Sequence, residues 1–186
     1  MPAALTTRRF TVGEYYRMAE AGILGPEERV ELIEGEIITM AAIGSRHSAT
    51  VMRLTRLFND EFRRRTLLLV QGPVRVNDLS EPEPDVALLR PRDDDYAAAH
   101  PGPADVLLIV EVADITVAFD RGTKQRLYAA AGIPEYWIVD LADDRIEVYR
   151  EPDATGYRDV RIFRRDDTLH VAAFAEVEIA ASAILP

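Results

Sequence analysis

Three carboxylates and one amine are spaced along this sequence in a way that suits metal-assisted hydrolysis. Asp85 follows Pro84 directly, Glu111 ends an apolar run, and Asp120 stands four residues before Lys124. A hard cation of the magnesium type takes oxygen ligands from one or two carboxylates, with water and substrate phosphate completing its shell. Two acids on neighbouring strand ends can bridge such an ion, which generates a nucleophilic water and offsets charge in the transition state. An ammonium beside them orients that water or stabilises the developing negative charge.

The elements that must position these groups lie mostly between Ala104 and Asp140, which reads as strand, helix, strand. The run from Asp105 to Val112 contains five consecutive apolar residues, as in a central strand covered on both faces. Alternation puts Leu107, Ile109 and Glu111 on one face and Leu108, Val110 and Val112 on the other. A buried Glu111 must be paired, protonated or metal-bound, because an unpartnered buried charge is costly. Asp120, Lys124, Leu127, Tyr128 and Ala131 share one face of a helix predicted over 116–131, which Gly132 and Pro134 terminate. As a plain surface pair, Asp120 and Lys124 would contribute only about a few tenths of a kcal/mol. Asp85 opens the short apolar strand VALL at a sheet rim, where it acts as a ligand or merely caps a turn.

The remaining elements follow from capping and periodicity. Thr11 and Glu14 form a capping box for a short helix through Met18, with Gly22 as the stop. Glu28 to Met40 alternates around Glu34-Gly35 and predicts a hairpin. Glu31 then lies on the opposite face from Glu34 and Glu36, which belong to a site or to a solvated surface. The segment 44–65 predicts the longest helix, with Ser45 as N-cap, a stripe of His47, Val51, Leu54, Phe58 and Phe62, and Arg63–Arg65 at its end. His47 sits at the edge of that stripe, pointing inward as a packing residue or a functional one. One or two strands over 66–76, a polar loop over 77–84, and an antiparallel meander built from RIEVYR and 157–163 complete the pattern. The alanine-rich tail 174–186 carries no structural signal.

Bulk properties set the limits. The 186 residues fit a single domain, 1–186, with 48% hydrophobic and 29% charged residues. There is no cysteine, so disulfides and thiolate metal sites are excluded. The opening MPAALTTRRFTV lacks a secretory apolar region, and VLLIV is too short to span a bilayer, so a cytoplasmic location without membrane contact is expected. A formal charge of −10 disfavours a general nucleic-acid binder. Three histidines and no HExxH leave little room for a multi-histidine zinc site.

Taken in order, ELIEGEI (31–37), His47, PDVAL (84–88), EVADITVAFDRGTK (111–124) and AGIPEYWIVD (131–140) resemble the Uma2 family, formerly domain of unknown function 820. That family is grouped with PD-(D/E)xK restriction-endonuclease-like proteins. The resemblance covers about Thr11 to Phe174. It implies an α/β fold: a mixed sheet flanked by helices, a restriction-endonuclease-like core, an N-terminal hairpin and C-terminal antiparallel strands. It also implies an endonuclease hydrolysing DNA with Mg²⁺ or Mn²⁺, in which Asp85 and Glu111 hold the metal. Ala113 stands where the nuclease motif expects lysine, and Lys124 is the matching displaced lysine. Glu31 is then an additional acid, with His47 and Asp120 flanking. A two-fold homodimer is expected only as the commonest assembly. Two other classes stand beside this one: a catalytically idle module of the same fold, and a two-carboxylate glycosidase needing neither lysine nor metal.

Overall fold

The computed structural model describes residues 6–186. Helix α1 (Val12–Glu20) begins at the capping box, Thr11 accepting from the Glu14 backbone N–H while Glu14 accepts from Thr11 N. Strands β1 (Val30–Ile33) and β2 (Glu36–Thr39) form the expected hairpin. Its turn residues Glu34 and Gly35 both have positive φ, 50° and 76°, which matches the twist of a tight two-residue hairpin. Glu31 faces inward and is buried, whereas Glu34 and Glu36 are exposed.

Helix α2 (Ser45–Phe62) buries Val51, Leu54, Phe58 and Phe62 along its apolar stripe. Gly44 rather than Ser45 occupies the N-cap, without a side-chain cap, so the Ser45 assignment is corrected. The helix also stops before the basic triplet. Arg63 leaves helical geometry at ψ 144°, and Arg65 lies over the Phe174 ring and pairs with Glu176.

The main sheet contains β3 (Leu67–Val70), β4 (Val86–Leu89), β5 (Val106–Ala113), β6 (Glu135–Asp140), β7 (Arg145–Asp153) and β8 (Gly156–Arg164), in that spatial order. Only β5 and β6 are parallel; every other neighbouring pair is antiparallel. The segment PVRV (73–76) is not a second strand. It is held by irregular bonds such as Val74 N to Pro82 O and Val76 N to Ser80 O. The short pair β9 (Thr168–Leu169) and β10 (Ile179–Ala180) lies outside this sheet. The result is the mixed sheet flanked by helices that the family resemblance implies.

One side of the sheet packs on α2, with Leu88, Leu108, Val110, Val112 and Trp137 filling the interface. The other side packs on a helical crossover between β5 and β6: α3 (Val117–Phe119), a π-helical turn (Asp120–Lys124) and α4 (Gln125–Ala130). A register shift between Leu88 and Leu89 alters the predicted alternation near the start of β5. Leu107 joins the α2 side, and Val106 takes the face shared by Ile109 and Ala113. Among the described residues no helix is long and apolar enough to cross a membrane.

The tail, which carries no signal in the sequence, has a structural role. Ile179, Ala181, Ile184 and Leu185 are buried in the α2-side core, and Arg53 donates to the Leu185 carbonyl at 2.7 Å. Truncating a fully buried leucine costs about 2–5 kcal/mol through lost transfer energy and residual cavity. Leu185→Ala should therefore lower unfolding stability by that amount, read from the urea midpoint at unchanged m-value.

Candidate active site

The β4–β5 ladder explains why two distant acids meet. Val86 faces Val110 in antiparallel register, so Asp85, just before β4, comes to the end of β5 where Glu111 stands, and both line one cleft. The Val112 backbone N–H donates to Asp85 Oδ2 at 2.9 Å, which fastens Asp85 to β5. His47 Nε2 lies 3.0 Å from the same oxygen, and Gln71 Nε2 donates to Oδ1 at 3.2 Å. Asp85 is thus gripped on both oxygens from α2, from the end of β3 and from β5, rather than serving as a turn cap. His47 Nδ1 is buried with no partner among the described residues.

Lys124 enters from the opposite wall. Its Nζ donates to Glu111 Oε1 at 3.0 Å and lies 3.1 Å from Glu31 Oε1 on the hairpin. The other Glu31 oxygen accepts from the Glu83 backbone N–H at 3.1 Å. Asp120, also buried, accepts from Thr116 Oγ1 at 2.8 Å. The surface-pair reading of Asp120 and Lys124 is therefore displaced: both are buried, and the lysine's bonded partners are Glu31 and Glu111.

The π-helical turn makes this geometry possible. Gln125 N–H donates back to Asp120 O, the five-residue spacing that defines the widened turn. On one side Arg121 donates to Glu147 at 2.9 Å and to Asp140 at 2.5 Å, clamping the turn to β6 and β7. On the other side Lys124 reaches β5 and the hairpin. Ala113, where the nuclease pattern has lysine, is fully buried, and Lys124 supplies the ammonium at Glu111 from the crossover instead.

Sequence reading missed two groups at the site. Tyr128 Oη donates to Glu111 Oε1 at 3.0 Å, and Gln71 grips Asp85. Tyr128 was accessible in principle, since Asp120, Lys124 and Tyr128 recur at intervals of four. Gln71 carried no such signal, because its placement depends on β3 pairing beside β4.

Charge sets this cluster apart from other buried acids. Asp140 and Glu147 are matched by Arg121 and Arg145, and Glu135 by Arg150 and the Trp137 indole. Glu31, Asp85, Glu111 and Asp120 share Lys124 and His47, and all four line an open cleft of about 700 Å³. Burial pushes the Glu111 carboxyl up to about 8, Lys124 opposing and the neighbouring acids adding to the rise. Burial also raises Asp120, again against Lys124. For Lys124, burial disfavours the ammonium, yet Glu111, Glu31 and Asp120 outweigh it and hold its pKa above the lysine range.

The fold and recessed acid–lysine cluster define a nuclease-fold protein. The chain belongs to the Uma2 family, described as "Putative restriction endonuclease", which it matches over residues 12–182. Its fold is similar to the crystal structure of "a putative nuclease belonging to DUF820" from Anabaena variabilis. The TM-score is 0.71 at 19% identity, covering 94% of this chain and 97% of that one. No curated protein matches the chain.

The raised Glu111 pKa has a stability consequence. Between about 4.5, its ordinary value, and about 8, the folded state binds more protons than the unfolded state, so stability falls as pH rises through that window. In EDTA, Glu111→Gln should raise stability at pH 8 by on the order of 1 kcal/mol or more and change it little near pH 4.5. Parallel urea titrations of both proteins across this range check the effect.

Proposed function

We propose that this protein is a metal-dependent endonuclease hydrolysing DNA phosphodiester bonds, with Asp85 and Glu111 holding Mg²⁺ or Mn²⁺ and Lys124 orienting the attacking water. One observation carries this reading: four buried carboxylates, three of them around the Lys124 ammonium and Asp85 beside His47, line the floor of a cleft open to solvent. Unpaired buried charge is strongly destabilising. Such an excess is relieved either by protonation, as the raised Glu111 and Asp120 carboxyls show, or by a cationic occupant, which the opening to solvent admits.

The donor set suits a hard ion. All the candidate ligands are carboxylate oxygens, and cysteine is absent. Among the described residues no three His, Cys, Asp or Glu side chains form a ready-made cage. Ions of the magnesium class are commonly held by one or two carboxylates with water and substrate phosphate, which an Asp85–Glu111 pair can provide. Such an ion, when bound, polarises the phosphate and lowers the pKa of a coordinated water.

The chain's own groups have distinct tasks in this reading. His47, Gln71 and the Val112 N–H fix the Asp85 carboxylate, while Tyr128 fixes Glu111. Glu31 holds the Lys124 ammonium beside Glu111, where it stabilises negative charge developing on the phosphate and orients the nucleophile. Asp120 adds to the negative field that keeps Lys124 protonated.

The double ion pair of Lys124 also favours a second reading, a catalytically idle module in which that lysine only neutralises buried acids. Cleavage of plasmid and single-stranded DNA with Mg²⁺ or Mn²⁺ separates the two. The nuclease reading expects metal-dependent cleavage, abolished by EDTA and reduced at least about 100-fold in Glu111→Gln and in Lys124→Met. Equal activity in wild type and both variants would overturn it.

A further inference from the structure

We infer that the cleft takes an unpaired nucleic-acid strand rather than an intact duplex, and that Ile115 separates the reacting nucleotide from its neighbours. This rests on the nuclease reading above and concerns its substrate class. The first support is depth. Glu31, Asp85, Glu111, Asp120 and Lys124 are each at most 8% exposed, so a phosphodiester must enter the cleft to meet them. A cleft of about 700 Å³ falls in the range of roughly 300–1,000 Å³ that accommodates a small ligand. A nucleotide unit fits that space, whereas a stacked duplex keeps its backbone on the outside of a stiff rod. Enzymes that act on a base inside the stack take single strands or extrude the nucleotide, and a recessed cleft sets a similar demand on the strand that enters it.

The second support is charge. Duplex binding draws its affinity from basic side chains that neutralise many phosphates. Here Arg29 and Lys124 are the lysine and arginine side chains lining the cleft, against Glu31, Glu83, Asp85, Glu111, Asp114 and Asp120. Lys124 lies at the floor between two carboxylates, so the exposed Arg29 guanidinium, which also donates to the Ala41 carbonyl at 3.2 Å, is the cation at the lip. Nearby Arg121 is occupied by Asp140 and Glu147.

The third support is the lip itself. Ile115 is 82% exposed, the highest value among the large hydrophobic residues of the described chain, and it stands four residues after Glu111 on the cleft wall. Ile43 lies exposed on the β2–α2 segment that lines the same cleft. Projecting aliphatic side chains such as isoleucine act as wedges that partially unstack neighbouring bases, a step that costs less where the bases are already unpaired. The cleft therefore pairs an acidic floor with an apolar lip and a single guanidinium, a combination that suits splayed bases better than a continuous charged groove.

Binding and cleavage tests separate this inference from the nuclease reading. Anisotropy of a fluorescein-labelled DNA oligonucleotide is measured with Ca²⁺ in place of Mg²⁺. The strand is presented alone, in a perfect duplex, and in a duplex with a mismatched bubble. Single strand and bubble should bind roughly tenfold tighter than the duplex, and Ile115→Ser should remove most of that advantage. Duplex binding equal to or tighter than single-strand binding, no binding to any form, or an Ile115→Ser variant with an undiminished preference would overturn the inference. Loss of all metal-dependent cleavage with the binding preference intact would instead count against the nuclease reading alone.

Discussion

The structure depends on how one buried ammonium is shared. Lys124 is held between Glu31 and Glu111, and through them it ties the N-terminal hairpin, the central strand and the helical crossover into one wall. No α-helical continuation is needed to bring it there, because the π-helical turn aims Arg121 at β6 and β7 while Lys124 meets β5. The arginine clamp is well matched in charge. The lysine cluster is not, and in the proposed reading that imbalance is what marks the functional acids.

Asp85 shows the complementary constraint. Both its oxygens are occupied by donors from three elements, so its orientation is fixed before any ligand arrives. Such preorganisation matters because supporting bonds around a metal-binding carboxylate fix its direction and basicity. Glu111, by contrast, is held on a single oxygen, Oε1, by Lys124 and Tyr128. A rigid carboxylate facing one with an uncommitted oxygen is a reasonable pair for an ion whose shell is completed by water and phosphate.

Much of this was legible in the sequence because strand alternation and capping are local. Five apolar residues running into Glu111, an aspartate opening VALL, and the Glu34-Gly35 turn each needed no tertiary information. The two-residue period separated Glu31 from Glu34 and Glu36, but it did not give the burial of Glu31, because Leu32 and Ile33 are buried with it. The π-helical turn was not legible, since DRGTK reads equally well as ordinary helix. The tail gave no signal because alanine and isoleucine at its end show no periodicity, although they close the α2-side core. Ser45 lost the cap to Gly44, and 73–76 failed as a strand because its backbone bonds go to a loop rather than a ladder. Resemblance supplied what spacing could not, namely the expectation that Lys124 stands in for the lysine missing at Ala113.

The central claim is that the excess carboxylates at the cleft floor serve a divalent cation. Anomalous diffraction from crystals soaked in Mn²⁺ tests it most directly. The account predicts a manganese peak between the Asp85 and Glu111 carboxylates. A clear map with no peak at those carboxylates would contradict it.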